Sequence, residues 1–243
     1  MIEEFNKYTD NYDRRIKEIK RKYNHSLRVM NLAKKYSKLL NFNQEEIKLA
    51  TLIGLLHDIG RFEQFKIYHT YNDSKSIDHA DYGVKILFED KVIERFITTN
   101  KYNDIIAFAI QNHNKLSISN NYKNKKMLRH AKLIRDVDKI DIILIAGKLH
   151  EIKRKATNED LSPNVLECIK KHKSIPREYI KNKNDRIAMY FAFAFDINYN
   201  ICLKEIKRNL IYLYKEINDK HEKIKKVYEE SINYLDNRIN TNK

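Results

Sequence analysis

Six residues of this chain combine chemistry-bearing types with a telling order: His25, His57, Asp58, His79, His113 and Asp138. His57 and Asp58 stand together in LIGLLHDIGRFEQF, where an apolar run that must be buried ends in an imidazole beside a carboxylate. Burying either group without a partner costs several kcal/mol. The other four fall on apolar helical faces. His25 precedes Val29 and Leu32 at helical spacing, and His79 shares a face with Gly83, Ile86 and Leu87. His113 follows Ile106, Ala109 and Ile110, and Asp138 lies in register with Ala131, Ile134, Ile142 and Ile145. Imidazoles and carboxylates gathered in an apolar interior need a cation, and a metal ion supplies one. Successive helical residues point about 100° apart, so His57 can serve one ion while Asp58 reaches between two. Taken singly, each histidine also reads as a core side chain with a satisfied hydrogen bond. The ordered set is what points to metal. His69, His130, His150, His172 and His221 stand in polar or charged surroundings and read as surface residues.

Helices must position these groups. With 4 Gly and 2 Pro in 243 residues, the chain lacks the turn punctuation of a β-rich fold. Residues 24–40 carry a helical stripe, and a second helix opens at Asn43, with Glu46 placed to complete a capping box. From Ile47 to Leu56 that helix is apolar on nearly every side, which predicts a central place. Residues 66–77 read as a loop, a third helix as starting near Ser76, and DIIAFAIQNH as a fourth. After the polar segment 114–126, a fifth helix is expected from Met127 to Ala146. Beyond Gly147 come a Lys-rich stretch with Pro163 and Pro176, then further helices over 184–236. Within them, IAMYFAFAFDI is expected to pack on the core or on a second subunit. The expectation is an all-α single domain over 1–243, with a metal-binding helical core at 20–146 and a helical C-terminal extension at 147–243.

The set His25, His57-Asp58 and Asp138 resembles the signature of the HD-domain superfamily of metal-dependent phosphohydrolases. NHSLRV surrounds the first histidine, LLHDIGR the doublet and IRDVDKID the last aspartate, with Val137 where the family usually has a smaller residue. The likeness spans residues 25–138. Asp136 lies on another face beside Lys132 and Lys139 and reads as a surface or ligand-orienting group, and Asp141 as a residue that could orient a ligand. His79 (IDHADYG) and His113 (QNHNK) match the extra histidines of dinuclear branches, which include some cyclic-dinucleotide phosphodiesterases and dinucleoside-tetraphosphate hydrolases. The resemblance implies that His25, His57 and Asp138 hold one ion and His79 and His113 another, with Asp58 shared. A single ion held by His25, His57, Asp58 and Asp138 stays open.

The implied activity is hydrolysis of a nucleotide-type phosphoester or phosphoanhydride, by a phosphodiesterase or nucleotidase. Two ions roughly 3.5–4 Å apart activate water for in-line attack on phosphorus. Four imidazoles and two carboxylates suit Fe or Mn, or Ni, Co or Zn, better than Mg. Arg61 is expected to act with Asp58 in catalysis and to grip phosphate through its fork, with Asn112 and Lys115 as further substrate contacts. A capping arginine and an exposed loop are the bland readings of the same residues. Some mononucleotide phosphatases of the superfamily carry an acidic residue where this chain has Arg61. A di-iron oxygenase with the same six ligands is a second reading. A basic helical nucleic-acid-binding protein with a structural metal is a third, although no recognisable reading helix is present.

The net charge is +15, from 48 Lys+Arg against 33 Asp+Glu. The lysines are spread along the whole chain, which favours a solvated surface over a nucleic-acid footprint, though a positive field still draws in phosphorylated small molecules. Cys168 and Cys202 sit in helical patterns without a disulfide framework, as in a reducing compartment. No signal-like apolar region opens the sequence, and no apolar run nears the ~20 residues that span a bilayer. A cytoplasmic protein with a phosphorylated substrate and no membrane partner is expected. A homodimer stays open.

Overall fold

The computed structural model describes residues 1–148, 157–217 and 222–241. Among them every regular element is helical and no strand occurs. The chain divides into two compact units, Met1–Asp138 and Lys139–Lys243.

The first unit is built on α2 (Lys17–Leu39) and α3 (Gln44–Leu56), which follow α1 (Ile2–Thr9). The turn between α2 and α3 places Asn41 in the left-handed region, at φ 53°. The capping box forms as the sequence predicts: Asn43 accepts from the Glu46 amide while Glu46 accepts from the Asn43 amide. The helices then pack backbone to backbone at Gly54, where an added Cβ would lie 2.9 Å from Ala33 Cβ and 3.0 Å from the Val29 carbonyl oxygen. That close approach brings His25 of α2 beside His57 at the end of α3. Leu52, Ile53, Leu55 and Leu56 are buried, consistent with the central role expected of α3.

Next come α4 (Gly60–Tyr68), α5 (His79–Phe88), α6 (Asn103–Asn112) and α7 (Lys125–Lys148), whose residues up to Asp138 belong to this unit. A side chain at position 60 would sit 2.2 Å from the His79 carbonyl oxygen, so only glycine lets α5 begin against the doublet. Phe62 is the buried anchor of α4, met edge-on by Phe5 and Tyr8 of α1.

Several boundaries differ from expectation. The segment 66–77 is not all loop, because α4 runs to Tyr68 before His69 turns left-handed at φ 51°. Helix α5 begins at His79 rather than near Ser76, since the Asp78 side chain accepts from the Ala80 and Asp81 amides and fixes the start there. Helix α7 extends beyond Met127–Ala146 at both ends. His130 is not a surface residue. Arg129 and Lys132 flank it in sequence, yet it falls on the buried face of α7 between Met127 and Ile134, edge-on to Phe42 and beside Ala33, Ala50 and Ile53. Asp136 is likewise buried rather than on the surface. His69 and His172 are exposed as expected. His150 and His221 lie outside the described residues.

The second unit holds the rest of α7, then α8 (Pro163–Lys170), α9 (Lys183–Ala192), α10 (Asn200–Glu216) and α11 (Glu222–Asn240). Pro163 occupies the first turn of α8, where its missing N–H costs nothing. Asp185, in a capping box with Asn182, also accepts from the Ser162 amide and hydroxyl at 2.8 and 2.7 Å. Lys139, itself buried, forms an ion pair with the partly exposed Asp196 at 2.9 Å. The apolar stretch around Phe191 is buried in this unit's own core, with Ile187, Ala188, Ala192 and Ala194. Among the described residues no helix is long and apolar enough to cross a membrane.

Candidate metal centre

The six expected side chains arrive from five separate points of the first unit. His25 comes from the middle of α2, and His57 and Asp58 from the α3–α4 junction. His79 is the first residue of α5, His113 follows the last residue of α6, and Asp138 lies within α7. The five from His25 to His113 are at most 5% exposed, and the Asp138 side chain is 13% exposed.

All six converge. His25 Nε2 lies 3.2 Å from His57 Nε2, 3.4 Å from Asp58 Oδ2 and 3.1 Å from Asp138 Oδ1. His57 Nε2 is 3.7 Å from Asp58 Oδ2 and 3.6 Å from Asp138 Oδ1. On the other side of the carboxylate, Asp58 Oδ1 lies 3.2 Å from His79 Nε2 and 3.7 Å from His113 Nε2. Those two nitrogens are 3.1 Å apart. Asp58 thus turns one oxygen toward His25 and His57, and the other toward His79 and His113. His57, His113 and Asp138 also offer donor atoms within 4.8 Å of one another, so the clusters interlock.

The protonation pattern decides what such a site can hold. His57 Nδ1–H donates to the Gly54 carbonyl at 2.9 Å, and His113 Nδ1–H to the Ile110 carbonyl at 2.6 Å. His79 Nδ1–H donates to Asp73 Oδ2 at 2.9 Å. With Nδ1 bonded outward, His79 and His113 turn their Nε2 atoms inward, toward each other and toward Asp58 Oδ1. Asp138 Oδ1 is buried and makes no hydrogen bond. Lone pairs gathered at this distance repel unless a cation lies between them. Metal–donor bonds of about 2.0–2.2 Å would place neighbouring donors about 2.8–3.6 Å apart, close to the observed separations. Nitrogen and oxygen donors with outward Nδ1 bonds fit a divalent transition metal.

The electrostatics agree. Burial raises Asp58, but Lys22 and the surrounding imidazoles outweigh it and hold the carboxyl well below its ordinary range. Burial likewise raises Asp138, and His25 and His57 more than reverse it. Burial, opposed by Asp58 and reinforced by His79 and His57, pushes His113 down to about 4. At neutral pH the centre offers two carboxylates and a neutral His113, the form a metal needs.

Residues 23–143 match the family model described as the HD domain, spanning all six side chains. The chain belongs to the HD-domain family. That family is a superfamily of metal-dependent phosphohydrolases, and its fold is all-α, as this chain is. No curated protein and no solved structure matches the chain.

Around the six clustered side chains of this HD domain, the three expected substrate contacts have protein partners. Arg61 is 4% exposed, and its Nη1 donates to Gln64 Oε1, the Tyr71 carbonyl and Asp73 Oδ1 at 2.6–2.7 Å. Its Nε lies 3.6 Å from Asp58 Oδ1. Arg61 therefore holds Asp73, and Asp73 holds His79. Asn112 is buried, donating to the Phe108 carbonyl and accepting from the Ser119 amide. Lys115 pairs with Asp78 at 2.8 Å and Asp81 at 2.9 Å.

Sequence reasoning missed three residues. Lys22 Nζ lies 2.7 Å from Asp58 Oδ2, although burial pushes its pKa down. Asp73 comes from a short 3₁₀ turn, Asp73–Lys75, with no periodicity to mark it. Arg135, 1% exposed, donates to carbonyls flanking His113. Lys22 and Arg135 left a faint sequence signal, since each precedes an expected site residue, His25 or Asp138, by three positions on a helix.

Proposed function

We propose that this HD protein is a phosphohydrolase that cleaves a nucleotide-type phosphoester or phosphoanhydride, as a phosphodiesterase or nucleotidase, with two divalent ions of the Fe or Mn type. The observation that carries this reading is the division of Asp58, whose Oδ2 faces His25 and His57 while Oδ1 faces His79 and His113. A carboxylate so placed suits a shared ligand, with His25, His57 and Asp138 on one side and His79 and His113 on the other. Ions held there supply Lewis acidity and a water that is nucleophilic at neutral pH. The chain's own residues fix the ligand orientation. His57 and His113 are aimed by main-chain carbonyls, and His79 by Asp73, itself clamped by Arg61 and Gln64. Burial of the ligands excludes bulk water, which strengthens each charge interaction with an incoming phosphate. Lys22, beside Asp58, offers a cation for a phosphoryl oxygen. In this reading Arg61, Asn112 and Lys115 serve the site by holding its loops and ligands.

The test is elemental analysis of the purified protein, followed by a nucleotide panel with Mn²⁺ or Fe²⁺ added. About two metals per chain and release of phosphate or a nucleotide are expected. Asp58→Ala should abolish turnover while keeping the helical circular dichroism. Wild-type turnover in that variant would refute the reading. Oxygen uptake with substrate but no phosphate release would point to oxygenase chemistry instead.

A further inference from the structure

We propose that Arg135 is the positioning residue that sets the spacing between the two halves of the metal centre. It is the largest fully buried side chain among the described residues. Its Nη1 donates to the carbonyls of Asn112 and Lys115 at 2.6 Å each, and Nη2 to the Leu116 carbonyl at 3.3 Å. These carbonyls bracket His113 at the end of α6, where the helix has no amides left to bond them. Asp138 follows Arg135 by three residues on α7, so both lie on one side of that helix. One side chain therefore ties the main chain around His113 to the helix that presents Asp138.

The same segment is held from its other side by α5. Asn114 and Lys115 reach Asp78, the residue that caps α5 immediately before His79. The stretch 112–116 is thus a strap between the element carrying His79 and the element carrying Asp138. The α5 end rests on partly exposed side chains, whereas the α7 end rests on a buried guanidinium fork. Three carbonyls in a fixed array need a fork of donors in one plane. A lysine ammonium supplies the charge without that geometry. His113 aims its Nε2 only if the last turn of α6 stays in place, because its Nδ1 bonds the Ile110 carbonyl. Loss of the fork should therefore spare His25, His57 and Asp138 and loosen the His79/His113 side.

This inference rests on the two-ion reading, and one experiment separates their fates. Full-length protein is stripped of metal and titrated with Mn²⁺ by calorimetry, as wild type, Arg135→Lys and Arg135→Met. Wild type should bind two equivalents. Both variants should bind the first with an affinity within about threefold of wild type and the second at least about tenfold more weakly, the scale of lost outer-shell support. Two wild-type-like equivalents in the variants would overturn the role of Arg135 alone. So would equal weakening of both, which marks a merely structural residue. A single equivalent in wild type would overturn the two-ion reading and this inference with it. If Arg135→Met fails to fold, Arg135→Lys and wild-type hydrogen exchange decide. Because coupling is reciprocal, the second equivalent must slow exchange at the amides of 113–119 by at least about tenfold, and unchanged exchange there would sink the proposal.

Discussion

Asp58 is approached from four directions: by Lys22 Nζ and His25 Nε2 at one oxygen, and by His79 Nε2 and Arg61 Nε at the other. The six converging side chains were legible in the sequence, because histidine and aspartate on apolar faces are costly unless they meet something. The groups that orient them were not. Asp73 lies in a patternless turn, and the one hint of Lys22, its place one turn before His25, does not separate it from the chain's many other lysines until folding sets it beside Asp58. Arg61 was legible as a forked donor, but its partners are fixed by the loop that folds back over it. A prediction follows at this scale. In Asp73→Asn the amide replaces the carboxylate that accepts from His79 Nδ1, so Mn²⁺ affinity should fall by about 10- to 100-fold, read by calorimetry, with the fold retained. Unchanged affinity would remove Asp73 from the site.

Helix type and order followed from hydrophobic period, and so did the place of α3. What periodicity could not weigh was close approach between elements. Gly60 and Gly54 read as ordinary apolar-run residues, yet each marks a point where two backbones meet. Helix α1 escaped notice because its charged residues mask the buried Phe5 and Tyr8. His130 was misread for a related reason, since charged neighbours in sequence say nothing about which face of α7 turns inward. Burial, with Arg129 and Lys126 adding repulsion, pushes His130 down to about 4. The unfolded chain binds that proton near pH 6.5 while the folded one refuses it. Its share of stability is therefore full above pH 6.5 and lost as pH falls toward 4, on the order of 3 kcal/mol. Urea unfolding at several pH values should show His130→Leu losing less stability than wild type across that window. Parallel curves for the two proteins would contradict the assignment.

At the scale of the whole molecule, fold class was legible from composition, since so few glycines and prolines leave little but helix. The net charge of +15 gives the chain a positive field. Such a field raises the encounter rate of anions and is screened by salt. For a nucleotide substrate, KM should rise several-fold between about 0.05 and 0.5 M KCl while kcat stays nearly constant. A salt-independent KM would show that the surface charge plays no part in capture.

The central claim is that the Asp58 carboxylate stands between two cations held by groups far apart in sequence. Anomalous diffraction at the manganese edge, from crystals grown with Mn²⁺, tests it most directly. Two peaks are predicted, one enclosed by His25, His57 and Asp138, the other by His79 and His113, with Asp58 touching both. A single peak, or none among these six side chains, would contradict it.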